Sequence, residues 1–253
     1  MGLERLPIAR SGRVSGVKVA ASAISGPLRA PLVHALVALV LFGWAFTVFD
    51  GARSRTTFHP DESDWIATGR LFGYLFLRGG LKHEVWNGGY YMLAQPPGFR
   101  YAFRAGLWLQ GHDLNTLNQT YRFDGDLEAN RREGRVPTGA VLMDARKVAI
   151  LFAASAVALL YVVAVQLGTP LAGIAAALLA GASPYLQTHF VRAMAEAPFG
   201  FFLLATLAVC LATVRRSVGG FGVGYAMLAI PALGLALATK APSGNNLSEV
   251  ARP

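Results

Sequence analysis

The sequence predicts an all-α integral membrane protein: about five transmembrane helices, with a long outside loop containing interfacial helices after the first span. Three observations carry this. The 253 residues are 54% apolar and only 15% charged, against roughly 45–50% and about 25% in an average soluble domain. Several uncharged apolar runs approach the length needed to cross a hydrocarbon core of about 30 Å. Basic residues collect beside those runs, as membrane flanks do on the cytoplasmic side. The formal net charge of +9 would suggest a nucleic-acid partner in a soluble protein. Here the surplus is dispersed and juxtamembrane, so no nucleic acid is expected. The single cysteine, Cys210, excludes an intramolecular disulfide and a cysteine-based zinc site.

Residues 1–30 form a basic cytoplasmic tail, with Arg5, Arg10, Arg13, Lys18 and Arg29 against Glu4. Residues 31–49 lack a formal charge and read as the first transmembrane helix, a signal anchor and not a cleaved leader. Residues 50–147 form an outside loop. Within it, residues 65–78 are largely apolar but carry Arg70 and Arg78, which suits an interfacial helix. In residues 98–110, Phe99, Phe103 and Leu107 recur every four residues beside Arg100 and Arg104. That spacing is expected to place aromatics in lipid and guanidinium groups on phosphate. Residues 115–139, rich in turn formers, read as an ordered loop or lid.

Four further spans are expected within residues 148–240: 148–167, 171–186, 198–214 and 221–239. Pro184 and Pro231 interrupt the second and fourth of these, a feature that neighbouring helices can accommodate in a membrane. Placing the N-terminal tail and the Arg215-Arg216 pair on the cytoplasmic side fixes the orientation. Residues 241–253 form a polar tail too short for another span.

Chemistry is expected where the acids are. His59-Pro60-Asp61-Glu62-Ser63-Asp64-Trp65 puts three carboxylates in four residues. Such a cluster can raise one pKa toward a general-base value, bind a divalent cation, or be a solvated loop. Glu196 stands out because acids are scarce in the second half of the chain. It either pairs with Arg192 four residues earlier or faces a cavity. Lys240 is either a snorkelling helix-end lysine or a phosphate contact. Trp86, Tyr90, Tyr91 and Trp108 read first as interface aromatics. Asn118-Gln119-Thr120 matches a glycosylation acceptor, a triplet common by chance.

Together these positions resemble the N-terminal half of a GT-C superfamily membrane glycosyltransferase. The similarity is to the protein O-mannosyltransferases and the related aminoarabinose and sugar transferases of bacteria. It rests on Asp61-Glu62 with Trp65 after the first span, Gln95-Pro96-Pro97 through Gly111, and Arg146 before the second span. Arg192, Glu196 and Pro198 follow, and then the run from Gly234 to Lys240. The resemblance implies sugar transfer from a polyprenyl-phosphate-linked donor to an acceptor hydroxyl of a glycan, lipid or protein, on the outer face of the membrane, with inversion. It implies Asp61 and Glu62 as the catalytic pair, and Arg192, Glu196 and Lys240 in substrate or lipid-phosphate binding. No cofactor is required, a divalent cation being optional. The expected setting is a bacterial inner membrane, with the N-terminus cytoplasmic and membrane lipids as partners. Family members continue past this lysine with further spans, so a truncated, inactive fragment or a non-catalytic scaffold or assembly subunit is the alternative.

Overall fold

The computed structural model describes residues 29–69 and 97–217, with positions 72, 73, 76 and 80 between them. Among these residues the chain is helical, without a strand. The helices are α1 (Arg29–Arg53), α2 (Pro60–Thr68), α3 (Pro97–Leu109), α4 (Leu127–Arg132), α5 (Gly139–Leu167), α6 (Pro170–Ala182), α7 (Pro184–His189) and α8 (Glu196–Ser217). Three are long and apolar enough to cross a membrane: Pro31–Arg53, Gly139–Leu167 and Glu196–Arg215. The protein is therefore a membrane protein by the length and composition of these helices.

Local chemistry explains most boundaries. Pro170 and Pro184 occupy first-turn positions, where a missing N–H costs nothing. Thr138, Thr169 and Ser183 cap α5, α6 and α7 by accepting from the backbone N–H groups of Val141, Ala172 and Leu186. Helix α3 ends at Gly111, whose φ of +83° is left-handed and unstrained only without a Cβ. The α5 helix begins nine residues before the expected position 148. Its first turns carry Asp144, Arg146 and Lys147. Each has a partner: Lys147 Nζ lies 2.7 Å from Asp144 Oδ1, His112 Nε2 2.8 Å from Asp144 Oδ2, and Arg146 binds Glu62. The expected third span, 171–186, is instead the 13-residue α6 followed by α7, broken at Ser183-Pro184. The fifth, 221–239, and Lys240 lie outside the described residues, as do Trp86, Tyr90 and Tyr91.

Packing gives the course of the chain. His34 Nδ1 meets Tyr161 Oη at 2.8 Å, and Arg53 donates to the Met143 carbonyl at 3.5 Å, so α1 runs antiparallel to α5. Ala193 and Met194 pack with Leu142 and Ala145, and Gln166 donates to the Ala208 carbonyl, so α8 runs parallel to α5. Helices α6 and α7 carry the chain back between them.

One core joins α1, α5 and α6 through Leu41, Ala45, Phe49, Ala153, Val157 and Ala177. A second joins α2, α3, α5 and the start of α8 through Trp65, Ile66, Phe99, Phe103, Leu107 and Ala149. Phe99 stacks on Phe202 at 5.8 Å between ring centroids, an arrangement worth roughly 0.5–1.5 kcal/mol beyond area burial. A Cβ added at Gly106 would lie 2.2 Å from Val148 Cγ2, which shows how closely α3 approaches α5.

This second core corrects the reading of residues 98–110. Phe99, Phe103 and Leu107 are buried in protein, and Arg100 and Arg104 are buried beside them. The four-residue period marks a core face here, because α2, α5 and α8 offer an apolar surface that a lone interfacial helix lacks. Trp65 and Ile66 likewise face the core. The loop from residue 115 to α5 is ordered around the buried Asn130. Its Oδ1 accepts from the Arg122 N–H, and its Nδ2 donates to the carbonyls of Arg122 and Asp126.

Candidate functional site

The acidic segment is the start of α2, and its three carboxylates point into three different environments. Pro60 fixes the first helical residue, and His59 stands at the N-cap with extended backbone. The Glu62 carboxylate reaches back to accept the His59 N–H at 3.0 Å, the reciprocal half of a capping box. From Glu62 to Thr68 every residue of α2 is buried, so Glu62 and Asp64 are enclosed on different sides of the helix while Asp61 remains at the surface, its side chain 41% exposed. A solvated acidic loop is therefore not what these residues form: Glu62 and Asp64 are 0% and 2% exposed.

Glu62 is the centre of a buried knot. Arg146 donates to Glu62 Oε1 from Nε and to Oε2 from Nη2, both at 2.8 Å. Glu62 Oε1 also accepts the Ala193 N–H at 2.9 Å. With the His59 N–H, the carboxylate makes four charge-assisted bonds, its full acceptor capacity. The remaining Arg146 donors bind the carbonyls of Arg53 and Thr56 at 2.8 Å and Thr57 at 3.2 Å. One ion pair thus ties together the end of α1, the start of α2, α5 and the turn before α8. Neither partner keeps a free hydrogen-bonding site for a ligand.

The knot brings the Arg192 turn beside Asp61's helix. Arg192 Nη2 donates to Thr57 Oγ1 at 3.4 Å. Its Nε, and Oε2 of Glu196 at the start of α8, are buried without a hydrogen-bond partner among the described residues. The Arg192–Glu196 ion pair that their spacing allows does not form. Asp61, Arg192 and Glu196 therefore share one end of the helix bundle, while Lys240 lies outside the described residues.

Asp64 was not singled out by sequence, and its surroundings differ from those of Glu62. Its Oδ1 accepts the Tyr121 N–H at 2.7 Å, which docks the polar loop on α2. Burial raises its pKa from 3.8 to about 6. The Tyr121 bond opposes the rise, the Asp61 charge adds to it, and Arg100 opposes it. Arg100 lies over Trp65, its guanidinium carbon 5.8 Å from the ring centroid. Burial lowers its pKa to about 10, partly offset by Tyr101 and Asp64.

Asn118 completes the loop contact by donating to the carbonyls of Ser63, Gln119 and Arg135. In the folded chain that side chain is engaged, so the Asn118-Gln119-Thr120 triplet is a structural feature here. Among the described residues no group of three or more His, Cys, Asp or Glu side chains could hold a metal ion. Sequence reasoning noted Arg146 only as the arginine before the second span. The signal for its role was a guanidinium inside an apolar helix, which requires a buried acid as partner. Comparison with protein families, curated proteins and solved structures finds no match for this chain.

Proposed function

We propose that this chain is a membrane glycosyltransferase, or the N-terminal part of one. It would transfer a sugar from a polyprenyl-phosphate donor to an acceptor hydroxyl on the outer face of the membrane. The observation that carries the reading is the asymmetry of the Asp61-Glu62 pair. Glu62 is saturated and buried, while Asp61, one residue earlier on the same clamped helix turn, presents a half-exposed carboxylate. An exposed base on a clamped helix, with the Arg192 turn packed against the same helix at one end of a bundle of membrane-length helices, suits proton abstraction near lipid headgroups.

In this mechanism the Asp61 carboxylate takes the proton from the acceptor hydroxyl as that oxygen attacks the anomeric carbon. The anomeric carbon–oxygen bond to phosphate breaks, its electron pair leaves with the polyprenyl phosphate, and the configuration inverts. Arg192 and Lys240 supply positive charge to the departing phosphate. Glu196, whose Oε2 is without a protein partner among the described residues, serves substrate binding beside Arg192, and Glu62 holds the helix turn that carries Asp61.

The test is transfer or hydrolysis of tritiated polyprenyl-phosphate mannose, glucose and arabinose by the full chain in liposomes. Release of labelled product by the wild type is expected, with a loss of at least 100-fold in Asp61→Asn, a variant that keeps the shape of the side chain. No turnover of any donor by a folded wild-type chain would overturn the activity in favour of a scaffold or assembly subunit. Undiminished turnover in Asp61→Asn would overturn the assignment of the base.

A further inference from the structure

The N-cap of α2 is a histidine, where Asn, Asp, Ser and Thr are the side chains that helix starts prefer. His59 Nδ1 lies 3.3 Å from the Asp61 backbone N and 3.7 Å from Asp61 Oδ2. The first contact exists only while Nδ1 is unprotonated and can accept. The second becomes an ion pair only once Nδ1 carries a proton.

These two contacts compete for one nitrogen atom. We propose that His59 is the positioning residue of Asp61: neutral, it caps α2 and leaves the Asp61 carboxylate free; protonated, it releases the cap and engages that carboxylate. The proposal rests on Asp61 as the reactive carboxylate but not on any particular substrate. The proton balance is simple. One proton from solvent adds to Nδ1, the Asp61 N–H loses its acceptor, and the new Nδ1–H donates to Oδ2.

Among the described residues, the charged groups around this helix start are engaged elsewhere. On α2 itself, Glu62 is committed to Arg146 of α5, to the Ala193 N–H and to the N–H of His59 itself. From the turn before α8, Arg192 reaches Thr57. Asp64, three residues along α2, is bound to the Tyr121 N–H and couples to Asp61 through its charge. Of the side chains at the N-cap, His59 is thus the group whose protonation changes a hydrogen bond to Asp61.

The experiment is a pH titration between 5 and 8 of the full chain in nanodiscs, with 15N-labelled histidine and 13C,15N-labelled aspartate observed by NMR. At the alkaline end the His59 ring is expected as the Nε2–H tautomer, with Nδ1 unprotonated. On acidification the Asp61 amide and carboxyl resonances are expected to move together with the His59 ring, at one midpoint. In His59→Asn made on an Asp64→Asn background, which keeps a preferred capping side chain and removes the other group coupled to Asp61, that shared step is expected to be lost while the helix start is retained. In Asp64→Asn it is expected to persist.

A proton on Nδ1 at pH 8 would overturn the proposal. So would Asp61 resonances that still show the step in the His59→Asn, Asp64→Asn double variant, or that lose it in Asp64→Asn alone. The readout needs no turnover, so a failed transfer assay and a failed titration remain separate results.

Discussion

Glu62 and Asp64 lie two residues apart on α2, both almost fully buried, yet the fold treats them differently. Glu62 meets a bidentate guanidinium and two backbone N–H groups. Asp64 meets one backbone N–H, with Arg100 acting through its charge, and burial pushes its pKa to about 6. Burial alone therefore does not decide how firmly a carboxylate is held. What decides is how many of its lone pairs find charged or amide donors to replace water. Four bonds make Glu62 a fixed structural anchor, whereas Asp64 is held by a single backbone N–H and its pKa is raised.

The largest expected effect comes from breaking the anchor. Glu62→Gln removes the charge opposite a buried Arg146, and breaking such a pair typically costs about 3–5 kcal/mol. A drop in the thermal midpoint of the detergent-solubilised chain is expected, read by loss of the monodisperse chromatographic peak. Stability equal to wild type would mean that the four-element knot does not hold the fold.

Asp64→Ala comes next. It leaves the buried Tyr121 N–H without its acceptor, at a cost of about 1–3 kcal/mol. The 115–138 loop is expected to lose amide-exchange protection while α5 and α8 keep theirs. Loss spread evenly over the whole chain would merge the two carboxylates into one cooperative unit and dissolve the contrast between them.

The smallest effect is the most specific. An Asp whose folded pKa, about 6, lies above its unfolded value near 3.8 retains its proton in the folded chain over that interval. Its contribution to stability is thus fully present below pH 3.8 and is lost as pH rises toward 6. Asp64→Asn keeps an acceptor for Tyr121 and cannot ionise. Its midpoint relative to wild type is expected to improve steadily from pH 4 to pH 6 and then level off. An unchanging difference across that range would show that Asp64 does not titrate in it.

What was legible in the sequence follows from which interactions are local. The helices at 29–53 and 196–217 show in apolar runs, because a membrane-length stripe is a property of the segment itself. The early start of α5 was hidden, since Arg146 looks prohibitive until Glu62, 84 residues away, is placed against it. The α3 period was visible, but its destination was not. Phe99 and Phe103 have the same spacing whether they enter lipid or pack on Phe152 and Phe202. At the site, Asp61 and Glu62 stood out as an acidic pair, and their opposite fates depend on contacts that no local pattern contains. Asp64 was passed over because its significance comes from Tyr121, in a loop whose docking is tertiary.

The break at Ser183-Pro184 also bears on how the protein enters a bilayer. At about 1.5 Å per residue, a 13-residue helix reaches roughly 20 Å, short of a hydrocarbon core of about 30 Å. Helix α6 could not partition into lipid as an independent segment without leaving polar backbone at its ends in hydrocarbon. It lies instead against α5, close enough that a Cβ at Gly173 would come within 3.0 Å of the Tyr161 backbone, and against α1, where Gly181 meets the Trp44 ring. Its insertion is therefore a tertiary event: α1 and α5 must already be in place to receive it. Bulky apolar side chains at those two glycines would strand the segment at the membrane surface even though they raise its hydropathy.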